Sequence, residues 1–169
     1  MSPDVIVVVD VANVMGSRPD GWWRDRKAAA TRLLTALSQL IWVDTIGPDG
    51  GKIRIARVVA VLEGAARGAV APVAVRVNDV SETVTSNVST GTDDSTGSST
   101  VEVVEADRDG DTAIVAVTEK LISALAVSPE ITDVVTGVLV VTADRGLRRR
   151  LPRDTMIVGP EWVNRLIHR

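Results

Sequence analysis

Residues 5–9 read Val-Ile-Val-Val-Val, five apolar positions with no polar one among them. A strand with one wet face alternates, so an unbroken run predicts a strand buried on both faces, as in a parallel sheet. Residues 134–142 form a second such β-branched run, and residues 53–62 a further strand. Weaker strands are predicted at 70–77, 101–105 and 156–158. Between them the period changes. Ala30, Leu33, Leu34, Leu37, Leu40 and Ile41 follow helical spacing and predict a helix over 22–41. Ile114, Val117, Leu121, Ile122 and Leu125 predict another over 111–127. A short Arg-rich helix is expected at 145–151, and Pro160 suits the first turn of a terminal helix. Gly16, Pro19 and Gly21 mark a loop after the first strand, and residues 47–51, Gly-Pro-Asp-Gly-Gly, mark a turn. Strands alternating with helices predict an α/β fold with a central, mainly parallel sheet between helical layers, a three-layer sandwich. No repeat and no boundary interrupts residues 1–169, which read as a single domain.

One stretch departs from this pattern. Of the 21 residues at 80–100, twelve are Ser or Thr. Such a segment buries too little to join a core, and it reads as a flexible loop insertion, with a short hairpin at 83–88 as its only candidate element. Residues 87–89 match a glycosylation sequon, but no secretion signal supports its use, since the apolar run of the first strand ends at Asp10 without a basic flank. No window approaches a membrane span, and a cytoplasmic location is expected.

Composition narrows the chemistry. The chain has no Cys and a single His, His168, next to the last residue. Thiolate nucleophiles and Cys-based metal sites are excluded, and a Ser-His-Asp triad is disfavoured. Any chemistry falls to carboxylates, amides, hydroxyls, Arg and Lys. The net charge of −3 neither requires nor forbids a nucleic-acid partner.

In an open parallel sheet, ligands bind beyond the carboxyl ends of the strands, at the point where strand order reverses. Acids cluster at those predicted ends. Asp10 ends the first strand, and Glu63 follows the strand at 53–62. Asp107, Asp109 and Asp111 follow the strand at 101–105, and Asp144 follows the run at 134–142. Each alone has a plain structural role as a helix cap or turn residue. Together they place acids from four elements on one edge. Clustered carboxylates repel and raise one another's pKa unless a cation joins them. Carboxylate oxygens suit Mg²⁺ or Mn²⁺, which activate water and stabilise charge on a phosphodiester.

These motifs resemble a known family. Asp10-Val11-Ala12-Asn13 resembles the strand-end Asp-x-x-Asn of NYN domains, members of the PIN-like nuclease superfamily. Leu62-Glu63-Gly64 is similar to the acid after their second strand, usually Asp. Gly110-Asp111-Thr112-Ala113-Ile114 resembles their Asp-Asp-x-Ile helix start, and Thr142-Ala143-Asp144 with Leu147 resembles the Thr-x-Asp-x-x-Leu element of the PIN fold. Pro19-Asp20-Gly21-Trp22-Trp23-Arg24-Asp25-Arg26 is similar to a motif of small actinobacterial proteins that themselves resemble NYN domains. The resemblance implies a PIN-like (NYN) fold and a metal-dependent ribonuclease. Asp10, Asp111 and Asp144 would be the main ligands of Mg²⁺ or Mn²⁺, with Glu63 and Asp109 as outer or second-metal ligands. Whether Asp109 or Asp111 is the ligand stays open, although Asp111 puts Ile114 and Val115 on the buried face. Asn13 would hydrogen-bond the Asp10 carboxylate or a phosphate, or cap the following turn. Members of the family often pair, so a homodimer is also open.

Basic groups flank the acids. Arg145, Arg148, Arg149, Arg150 and Arg153 follow Asp144, while Arg18, Arg24, Arg26 and Lys27 follow Asp10. They are candidates for phosphate contacts with RNA. Trp22 or Trp23 is a candidate for base stacking, with packing on the fold as its plain alternative, and Trp42 and Trp162 are expected in the core. Two other functions remain in view. One is a non-catalytic RNA- or protein-binding module that keeps the acids. The other is a nucleotide pyrophosphohydrolase, although no Nudix-type Glu-rich helix is present. A dehalogenase-type phosphatase is disfavoured because Asp10 is followed by Val11 and Ala12 rather than by Asp-x-Asp.

Overall fold

A computed structural model describes residues 2–81, 99–127 and 135–168. Its first strand, β1 (Asp4–Asp10), is buried along its whole length. Helices α1 (Val11–Gly16) and α2 (Arg26–Ser38) follow, then strands β2 (Asp44–Ile46), β3 (Lys52–Leu62), β4 (Ala74–Arg76) and β5 (Val101–Glu105). Helix α3 (Gly110–Val127), strand β6 (Val135–Val141), helix α4 (Arg145–Arg150), strand β7 (Met156–Val158) and helix α5 (Pro160–Ile167) complete the order.

The strands form one sheet in the order β4-β5-β3-β1-β6-β7, parallel at every one of these pairings. The exception is β2, which pairs antiparallel with β3. Arg54 of β3 faces Asp4 of β1 and Asp44 of β2, so β2 lies on the edge of β3 opposite β1, in line with β5. Because side chains alternate along β1, its two faces enter different layers. Val5, Val7 and Val9 pack with α1, α2 and α5. Ile6 and Val8 pack with α3, Leu147 of α4 and Leu151. The result is the three-layer α/β arrangement that the hydrophobic pattern implies. The chain runs outward from β1 to β3 and β5, then returns to β6 and β7 on the other side. The reversal falls between β1 and β6, which is where such sheets open a crevice.

Several expectations need correction. Residues 11–21 contain α1 rather than a plain loop, because the Asp10 carboxylate accepts the Asn13 N–H and caps a short helix directly at the strand end. Helix α2 starts at Arg26, not at 22. Gly21 turns the chain at φ 74, and Asp25 then caps the helix by accepting the Ala28 N–H at 2.9 Å. The helix stops at Ser38, short of 41, and the chain turns through Trp42, which has φ 70. Trp42 is therefore not a core residue. It is 47% exposed, with the Arg54 guanidinium 5.5 Å from its ring centre. Trp162 is buried as expected, its indole N–H donating to the Ile46 carbonyl. The strand expected at 70–77 shrinks to Ala74–Arg76, and β2 was not foreseen.

Most of the Ser/Thr-rich segment, with the hairpin at 83–88 and the sequon at 87–89, lies outside the described residues. Val80, at its start, is core rather than loop: it is 2% exposed and packs on the α3 face of the sheet. Among the described residues no helix is long and apolar enough to cross a membrane.

Candidate active site

A cleft of about 620 Å³ opens at the carboxyl ends of β1 and β6. Asp10, Glu63, Asp111 and Asp144 all line it, together with Asn13. Four acids distant in sequence thus meet because parallel strands end on one edge.

Each is held by its own local element. Asp10 is 8% exposed. Its Oδ1 accepts the Asn13 N–H at 3.1 Å and its Oδ2 accepts the Thr142 hydroxyl at 2.9 Å. The same hydroxyl accepts the Asp144 N–H at 3.1 Å, so Thr142 ties the end of β1 to the start of α4. Asp144 Oδ1 accepts the Leu147 N–H at 2.8 Å and caps that helix. Its other oxygen is left to face the cleft. The Asn13 side chain accepts the Ala143 N–H at 2.8 Å, a second tie across the crevice. Asn13 therefore meets Asp10 through its backbone, while its amide positions the β6–α4 loop. Glu63 Oε2 accepts the Gly110 N–H at 2.6 Å. A Cβ at Gly110 would lie 2.6 Å from that same oxygen, so the start of α3 can approach Glu63 this closely only with glycine there. Asp111 sits one residue further on and makes no hydrogen bond or ion pair among the described residues.

The acids act on one another. Burial raises the Asp10 carboxyl above its ordinary value, and the charges of Asp111 and Glu63 push the same way against its two hydrogen bonds. Burial also raises Asp111, reinforced by Asp144, Asp109 and Glu63 and opposed by Arg150. Mutual repulsion of this kind is relieved by a cation.

The structure separates Asp109 from Asp111. Asp111 lines the cleft, whereas Asp109 is exposed and lines a neighbouring groove with Lys120. The Asp109 carboxylate accepts the Thr112 N–H at 2.7 Å, which holds its pKa below the ordinary value. Asp109 is thus a cap for α3 in the neighbouring groove, and of the two acids Asp111 is the one that lines the cleft. Asp107 lines that groove too, not the cleft.

The basic residues divide as well. Arg145 and Arg149 are exposed on α4. Arg148 is braced against the Thr142 carbonyl through Nε at 3.0 Å and Nη2 at 2.6 Å, so it supports the loop that carries Asp144. Arg150 donates to the Thr112 hydroxyl at 3.0 Å. Arg18 approaches His168 at 3.4 Å, while Arg24 and Arg26 are exposed. Of the two candidates for stacking, Trp22 takes the packing alternative. It packs on the core, and the Arg26 guanidinium lies 5.3 Å from its ring centre. Trp23 is the exposed partner, at 58%.

Two residues of this region, Glu161 and Ser17, had no expected role, and Thr142 was expected only as part of the Thr-x-Asp motif. Thr142, wholly buried, links two acids. Its signal was its place two positions before Asp144 at a strand end. Glu161 adds a further carboxylate to the cleft from the first turn of α5, and Ser17 lines the wall beside α1. An acid just after a helix-starting Pro at the same sheet edge was the clue to Glu161.

Carboxylate oxygens with two acids under mutual charge pressure match the donor chemistry of Mg²⁺ or Mn²⁺. Among the described residues no group of three or more His, Asp or Glu forms a ready-made metal site. The fit therefore lies in the kind of donors and their convergence. No model of a known family matches the chain, and no curated protein or solved structure does so either.

Proposed function

We propose that the chain is a PIN-like, NYN-type ribonuclease that hydrolyses phosphodiester bonds with Mg²⁺ or Mn²⁺. One observation carries this reading: Asp10, Glu63, Asp111 and Asp144 line one cleft at the reversal point of a parallel sheet, where burial first and neighbouring carboxylate charges second raise Asp10 and Asp111. Asp10, Asp111 and Asp144 would hold the cation, with Glu63 beside them. When bound, the cation supplies an activated water and stabilises charge on the phosphate. The chain's own residues supply order. Thr142 fixes the Asp10 carboxylate in one rotamer, and the cap to Leu147 fixes Asp144. Arg145 and Arg149 offer exposed guanidinium groups to the RNA backbone on the helix that Asp144 opens.

The test is cleavage of end-labelled RNA of varied sequence in Mn²⁺ by the wild type and by Asp10→Asn and Asp144→Asn. Cleavage confined to the wild type supports the proposal. Equal cleavage by all three overturns it, and RNA binding that ignores both Mn²⁺ and Asp10→Asn replaces hydrolysis with a binding role.

A stability measurement probes the same cluster. The folded-state pKa of Asp111 is raised above 3.8, so its favourable contribution is complete below 3.8 and is lost as the pH rises through the raised value. At pH 7 without divalent metal, Asp111→Asn is expected to raise the melting temperature, by on the order of 2 °C. The gap should close in acid. Mn²⁺ should raise the melting temperature of the wild type more than that of the variant. A variant that melts lower than wild type at pH 7 would contradict the electrostatic picture.

A further inference from the structure

We propose that Trp23 forms a stacking subsite for one unpaired nucleobase at the rim of the cleft. The proposal rests on the RNA reading above and adds to it where the chain, rather than any metal, holds the base.

The geometry separates two adjacent tryptophans. Gly21, in the left-handed region at φ 74, turns the chain, and Arg24 N–H closes the turn on the Gly21 carbonyl at 3.0 Å. Trp22 and Trp23 are thereby set edge to face, 6.2 Å between ring centres at 87°. Trp22 is the anchor. It packs on the core, Arg26 covers its ring, and its edge reaches to 3.9 Å of where a Cβ on the cleft-lining Gly16 would stand. Trp23 is braced by that edge and is still 58% exposed. Exposing a large indole costs free energy in water, and a rigid, braced ring loses little entropy on accepting a flat partner.

The charge around the ring selects the partner. Arg24, Arg26 and Lys27 are exposed in the same segment and outnumber its one other exposed charge, the helix-capping Asp25, while Arg18 is taken up by Asp20 at 3.9 Å. An exposed aromatic ring on a segment with exposed basic side chains suits an unstacked base flanked by phosphates, because every base has a π-face and each phosphate a negative charge. An apolar protein surface would find the cations unmatched.

The experiment uses the full chain in EDTA, so that binding is read without cleavage. The probes are a fluorescein-labelled ten-nucleotide single-stranded RNA and the same backbone with abasic positions. Trp23→Ala should weaken binding of the normal RNA about tenfold and leave the abasic RNA unchanged. Trp23→Phe should restore most of the loss. Equal affinity of wild type and Trp23→Ala for the normal RNA overturns the proposal. So does an equal loss on both probes, which would mark a structural role, or a change of oligomeric state in Trp23→Ala, which would mark an interface with a second copy. Stacking without cleavage in Mn²⁺ would keep this subsite and remove the hydrolase reading, so the two fail separately.

Discussion

Asp10→Asn is expected to reduce RNA cleavage by at least a hundredfold while leaving the fold intact. The residue sits where three constraints meet. It ends the most buried strand, it caps α1, and it receives the hydroxyl of Thr142. Asparagine has the same shape, keeps its oxygen for the Asn13 N–H, and turns its NH2 to the Thr142 hydroxyl, which can rotate to accept. What it loses is the negative charge, the property that distinguishes a cation ligand from a cap. The far-ultraviolet spectrum and the melting temperature should therefore change little, and RNA binding in EDTA should persist. Comparison of kcat and KM on labelled RNA completes the test. A fall in kcat at unchanged KM fits a role in the reaction, whereas wild-type kcat would leave Asp10 as only a helix cap. Asp109→Asn is the matched control. It removes a nearby acid that points to the neighbouring groove, and it should cost little activity.

The largest stability effect is expected elsewhere. Glu102→Ala should destabilise the chain by about 3–5 kcal/mol, because it leaves Arg57 charged and buried without its partner. The pair spans β3 and β5 in a two-pronged geometry, Nε to Oε1 at 2.8 Å and Nη2 to Oε2 at 2.8 Å. Only 10% of the Arg57 side chain and 9% of the Glu102 side chain meet solvent. Arg57 Nη2 also donates to the Val80 carbonyl at 3.3 Å, while Nη1 is buried with no partner among the described residues. The ion pair is thus incompletely compensated, which makes removal of one half costly and removal of both cheap. The double variant Arg57→Met with Glu102→Leu should recover most of the loss. Chemical denaturation measures both. A loss below about 1 kcal/mol in Glu102→Ala would show that Arg57 finds water on its own.

The strands were the most legible part of this sequence. The unbroken apolar run of β1 and the β-branched run of β6 have few alternatives to a central strand, and β5 and β7 fall at their expected bounds. Three of the acids could be placed on one edge for the same reason, since a strand end is fixed by where its apolar run stops. Helix boundaries were less legible because they depend on single side chains. The cap at Asp25, not the periodicity, starts α2, and the helix α1 hides in six residues that read as loop because they are too few to show a helical period. Trp42 was misplaced because hydrophobicity says nothing of a left-handed turn that carries the ring outward. Asp109 and Asp111 are told apart in place by the hydrogen bond from the Thr112 N–H, which makes Asp109 a helix cap outside the cleft, a contact three residues along that spacing alone allowed for either acid. Glu161 was missed because its helix meets the cleft only through packing of α5 beside α1, a relation of tertiary structure.

The place of β1 in the sheet bears on how the chain comes off the ribosome. One edge of β1 pairs with β3, but the other waits for Val135–Val141. During synthesis, a seven-residue strand with five β-branched side chains therefore stands with an open edge while most of the chain is made. A nascent or truncated chain lacking β6 would offer that edge to any strand at hand, and aggregation is its expected fate. Asp10 and Asp144 meet only when β6 docks. An incomplete chain is thus sticky and lacks the assembled acidic cleft, which comes together in the same step that closes the sheet.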